Sequence, residues 1–107
     1  MAVTTPAAER SPEEEVGDLA LSLRDYRTAF GSNPVGNNEE ITRALLGDNP
    51  RKAAFVERSQ VKLNDQGEMI DRWGHPYFFH AITGKVMEVR SAGPDGVMFT
   101  AVDIVGE

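Results

Sequence analysis

Apolar side chains return every three or four residues from Val16 through Leu19, Ala20 and Leu23 to Tyr26 or Arg27 and Phe30. Asp18, Ser22, Arg24 and Asp25 take the opposite side. A greasy stripe backed by a wet face predicts an amphipathic helix of about five turns. Its start is marked by Ser11-Pro12-Glu13-Glu14, which offers a serine cap, a proline at the first helical position and a glutamate three residues after the cap. That is a capping box, and Glu13, Glu14 and Glu15 also suit the positive end of the helix dipole. Gly31 supplies the stop. Residues 1–10 show no periodicity and read as a flexible lead-in to one domain spanning 11–107.

Beyond Gly31, Ser32-Asn33-Pro34-Val35-Gly36 is rich in turn residues. Asn37 or Asn38 then caps a short second helix with Ile41, Ala44 and Leu45 on one face, closed by Gly47 and Pro50. From Lys52 the period falls to two. Ala54-Phe55-Val56 reads as a short extended piece. Val61-Lys62-Leu63 and Glu68-Met69-Ile70 flank an Asn64-Asp65-Gln66-Gly67 turn. After a turn cluster at 71–76, Tyr77 to Ile82 and Val86 to Arg90 flank Thr83-Gly84, the clearest hairpin in the chain. A last apolar stretch runs from Val97 to Val105 behind Gly93-Pro94-Asp95-Gly96.

Helices first and antiparallel strands afterwards make an α+β class: a long N-terminal amphipathic helix packed on a small antiparallel sheet of three or four strands, with a short second helix. On that layout Leu23 and Phe30 pack against the sheet. The first turns, Val16 to Leu19, are expected to project beyond it and meet neighbouring molecules.

Composition narrows the function. Eleven Lys and Arg against seventeen Asp and Glu give a net charge of −6, a surface that repels phosphate backbones and argues against nucleic acid. With no cysteine, disulfides, thiol chemistry and Cys-ligated metals are excluded. No apolar run approaches the ~20 residues of a membrane span or the ~7–15 of a secretory leader.

Little in the chain points to catalysis. No serine sits in a Gly-x-Ser-x-Gly elbow and no glycine-rich loop opens a helix. His75 and His80 lack the spacing of a helical zinc pair. Glu68 and Asp71 fall in a turn region where acidic pairs are ordinarily solvated, although Asp71 can also hold the turn amides that follow it. Trp73 reads as an aromatic plug between turn and sheet rather than a recognition patch.

Three stretches together resemble the globular domain of type II secretion major pseudopilins and their relatives. They are Leu23-Arg24-Asp25-Tyr26-Arg27 through Gly31-Ser32-Asn33-Pro34; Asp71-Arg72-Trp73-Gly74-His75-Pro76-Tyr77; and Glu88-Val89-Arg90-Ser91-Ala92-Gly93-Pro94-Asp95-Gly96 through Asp103-Ile104. The resemblance implies a non-enzymatic, periplasmic or otherwise extracytoplasmic structural subunit or accessory of a pseudopilus-like assembly. Its partners would be other pseudopilin-like subunits or the secretion machinery. The membrane would be reached only through an inner-membrane anchor absent from these residues. The resemblance also implies a weak calcium site in the C-terminal loop, with carboxylates from Asp95 and Asp103 and carbonyls of Ala92 and Thr100, since calcium takes ~6–8 oxygens. Val102 stands where relatives carry a second acidic residue, and Met98-Phe99 makes the loop more apolar, so a metal-free loop closed by apolar side chains is the alternative. The rival function is a soluble periplasmic or secreted ligand- or calcium-binding module on the same fold.

Overall fold

The computed structural model describes residues 11–98 and 104–106; the lead-in expected at 1–10 lies outside the described residues. Helix α1 runs Pro12–Phe30. Ser11 Oγ accepts the Glu14 amide at 3.0 Å, and the Glu14 carboxylate accepts the Ser11 amide, completing the box written in the sequence. Gly31 adopts φ +84, the left-handed cap that glycine takes without steric cost, and its amide donates to the Arg27 carbonyl. Helix α2, Asn38–Leu46, opens with Asn37 and Glu40 in a second reciprocal box.

The chain then wraps through a 3-10 turn at Arg58–Gln60 into a two-stranded hairpin, β1 (Lys62–Leu63) and β2 (Met69–Ile70). A separate three-stranded antiparallel sheet follows, β3 (Phe78–Thr83), β4 (Val86–Ser91) and β5 (Ile104–Gly106), in spatial order β3-β4-β5. Phe79 lies opposite Val89 and Ala81 opposite Met87, with a register shift between Ala81 and Thr83 at the hairpin tip. Alternation along β4 buries Met87, Val89 and Ser91 beneath α1, whereas Val86, Glu88 and Arg90 face away.

The core joins Val16, Leu19 and Leu23 of α1 to Ile41 and Leu45 of α2, Met69, Tyr77, Met87 and Val89. Each large apolar side chain sealed in this way contributes ~1.5–3 kcal/mol.

Four expectations need correction. Val16 and Leu19 do not project beyond the sheet; they are 1% and 5% exposed. Gly106 of β5 lies so close that a β-carbon there would sit 2.8 Å from the Val16 side chain, so the third strand covers the first turns of α1. Phe30 does not reach the sheet either. Its ring joins Tyr26 and Phe55 in a half-buried aromatic trio, with centroid separations of 4.6 and 5.9 Å from Phe30. Arg51 lies over the Phe30 ring.

Residues 54–56 form no strand, because the Phe55 and Val56 amides both donate to the Leu45 carbonyl and pin the segment to the end of α2. Trp73 is only partly buried and stands outside the core cluster; Tyr77, 6% exposed, fills the place foreseen for it.

Candidate functional site

Asp71 organises the turn between the two sheets. Its Oδ1 accepts the Trp73 amide at 3.0 Å and the His75 amide at 2.9 Å, so one carboxylate oxygen shapes the Arg72-Trp73-Gly74-His75 turn. Gly74, at φ +87, closes the turn by donating to the Asp71 carbonyl. The carboxylate is not solvated, as its place in a turn suggested, but 2% exposed. Its Oδ2 accepts the Ser91 hydroxyl at 2.7 Å, and Ser91 Oγ in turn accepts the Gly93 amide at 3.2 Å. Asp71 therefore ties the turn to the end of β4 and to the loop that follows. Charged, short and buried hydrogen bonds of this kind are the strong ones.

The loop after β4 carries half of the sequence-derived calcium set. Ala92 is buried, and Gly93 and Gly96 have φ of +76 and +69. The Gly96 amide donates to the Gly93 carbonyl, and Asp95 Oδ1 accepts the Val97 amide at 3.0 Å. Asp95 is thus exposed and folded over its own turn. A β-carbon on Gly96 would meet His75 Nε2 at 2.7 Å, so the imidazole lies flush against this loop. His75 Nδ1 points at Asp71 Oδ1 from 3.8 Å, beyond hydrogen-bond range. Thr100 and Asp103 lie outside the described residues. Among the described residues no three His, Asp or Glu side chains gather as a metal cage; His80 lies on β3 opposite Glu88, and His75 precedes that strand in the turn.

Three asparagines do work that short-range sequence patterns did not show. Asn38 donates to the carbonyls of Met69 and Tyr77 at 3.1 and 2.8 Å and accepts the Met69 amide at 2.7 Å, joining α2 to both sides of the turn. Asn33 accepts from Arg27 and donates to the Thr83 carbonyl, and its amide donates to the Gly84 carbonyl, holding the β3–β4 tip against the end of α1. Asn49 stitches Ala44 to Ala53.

A cleft of about 610 Å³ opens between the first half of α1 and the 55–62 segment. Leu19, Val56, Met69 and Tyr77 give it an apolar lining, and Glu15, Asp18 and Glu57 are among its charged groups. At one end Arg72 donates to Glu15 Oε1 through Nε and Nη2, both at 2.9 Å. This pair anchors the turn to α1 from outside, as Ser91 anchors it from inside.

A long helix laid on a three-stranded antiparallel sheet, with a short helix and a small hairpin closing the far end, defines an α+β head of the pseudopilin-like kind. The crystal structure of the major pseudopilin from the type 2 secretion system of enterohaemorrhagic Escherichia coli superposes on it with a TM-score of 0.50 and 22% identity, over 98% of this chain and 97% of that one. The likeness is one of fold. No family model matches the chain. Nor does any curated protein.

Proposed function

We propose that this chain is the globular head of a subunit of a pseudopilus-like assembly, with a structural rather than enzymatic role outside the cytoplasm. The likeness to the major pseudopilin along nearly the whole of both chains carries the reading. The site geometry is consistent with it. The strongest polar clusters, around Asp71 and Asn38, are absorbed in holding loops to the fold rather than aimed into the cleft. Among the described residues no helix is long and apolar enough to cross a membrane. The partners would be further pseudopilin-like subunits.

Calcium is the second element of the proposal. Asp95 would supply a carboxylate from the Gly93–Gly96 turn, with Asp103 and the carbonyls of Ala92 and Thr100 completing the oxygen set. The turn's curvature supports this. The departure at Val102 makes any such site weak.

The test of the assembly role is made in the native host. The gene is deleted, and secreted proteins are compared by quantitative mass spectrometry. In a parallel strain, an epitope-tagged chromosomal copy is crosslinked in intact cells. Loss of a defined set of secreted proteins, with crosslinks to pseudopilin-like subunits or to further copies of the chain, supports the reading. An unchanged secretome together with a monomeric crosslinking pattern refutes it.

A further inference from the structure

The hairpin tip and the cleft are complementary surfaces at opposite ends of α1. At the tip, Ile82 is 50% and Val86 37% exposed, flanking Lys85, whose ammonium forms no ion pair with the described residues. Two exposed aliphatic side chains beside one cation make a knob that gains little from water. The cleft is apolar below and acidic at its rim: with Glu15 paired to Arg72 and Asp71 buried in its own turn, Asp18 and Glu57 stand there beside the cation Lys62. Its volume of about 610 Å³ leaves room for the side chains of a partner.

The two surfaces cannot meet within one molecule. Asn33 holds the tip at the C-terminal end of α1, whereas the cleft lies along the first half of that helix. At 1.5 Å per residue the two are separated by ~20 Å along the helix axis.

We propose that the β3–β4 tip of one copy docks in the cleft of the next, with Ile82 and Val86 on the apolar floor and Lys85 beside Asp18 and Glu57 at the rim. The occupant is a second copy of this chain, and charge complementarity selects it. Such a contact is heterologous. Each copy offers both a tip and a cleft, so the contact propagates along the α1 direction instead of closing as a pair. This inference deepens the pseudopilus-like reading and rests on it: it names the tip-to-cleft contact between globular heads through which subunits would be stacked.

Because the chain has no cysteine, introduced ones report the contact cleanly. Gly84→Cys places a thiol on the tip in open space and keeps Lys85, and Ser59→Cys places one on the exposed wall of the cleft. The purified double variant, concentrated and oxidised, is expected to give a ladder of dimers, trimers and higher species. A mixture of the two single variants should stop at the dimer. Adding Ile82→Asp should lower the yield ~10-fold or more, the loss that follows from one aliphatic side chain no longer being buried. Circular dichroism verifies that each variant is folded. The proposal is overturned if the double variant yields no species beyond a dimer, or if Gly84→Cys alone crosslinks to itself as readily as to Ser59→Cys. It is equally overturned if sedimentation shows oligomers that lack the tip-to-cleft bond. That last outcome, like a positive result in the host, would leave the assembly role standing while removing this contact.

Discussion

Removal of the Asp71 side chain is the sharpest probe of how this fold is held. Asp71→Ala strips two backbone amides, of Trp73 and His75, and the Ser91 hydroxyl of their acceptors. The amides sit in a partly exposed turn and can recruit water. The hydroxyl is 1% exposed and cannot. A buried donor left unsatisfied costs ~1–3 kcal/mol, and each bond to a charged acceptor that water replaces forfeits ~0.5–1 kcal/mol more. The expected loss is therefore about 3 kcal/mol, or ~12–24 °C in Tm for a domain of this size, read by calorimetry or circular dichroism. Asp71→Asn keeps the oxygen that serves the two amides and disturbs only the Ser91 contact, so its loss should be about half as large. Ser91→Ala and the Asp71→Ala/Ser91→Ala double variant complete a cycle whose coupling energy should be ~1–2 kcal/mol. A Tm decrease under ~4 °C for Asp71→Ala, or strict additivity in the cycle, would show that the turn and the β4 end are held by something else.

Three other substitutions test neighbouring parts of the structure. Asn38→Asp replaces the amide that donates to the Met69 and Tyr77 carbonyls with a group that repels both, so thermal melting should show it at least as damaging as Asn38→Ala, at ~2–4 kcal/mol. Gly96→Ala should cost ~1–2 kcal/mol, from the left-handed φ and the clash with His75; His75→Ala in the same chain should recover part of that in denaturant unfolding. On chelator-stripped protein, millimolar calcium at a Kd of ~0.1 mM should stabilise the fold by ~1.4 kcal/mol, and Asp95→Asn should abolish the shift. A melting curve that calcium leaves unmoved ends the calcium proposal.

Local chemistry was the legible part of this chain. Helix α1 starts where Ser11 and Glu14 announce it, because that bond spans a single turn; for α2 the sequence offered Asn37 or Asn38, and the structure selects Asn37. The β3–β4 hairpin declares itself through alternation on either side of Thr83-Gly84. What stayed hidden depends on distant partners. Nothing near Asn38 says that Met69 and Tyr77 will present their carbonyls to it, and nothing near Asn33 points to Thr83.

The aromatic assignments failed for a related reason. Trp73 is the larger ring, but Asp71 turns the chain so that Tyr77 enters the core and Trp73 stays at its margin, where Arg72 lies over it. Val16 was assigned to open surface because its cover, β5, arrives at the far end of the sequence. For the candidate site the division is the same: the Gly93–Gly96 turn was readable, whereas the cleft is assembled from segments 15–22, 55–62 and 69–77 and has no signature in any one of them.

The packing of Gly106 on Val16 also has a bearing on biogenesis. A ribosome releases residue 16 long before residue 106, so this part of the helix stripe stays wet until translation is nearly complete. This part of α1 is thus among the last of the core to be shielded. A nascent head stalled short of its third strand would display Val16 to any chaperone or sister chain within reach.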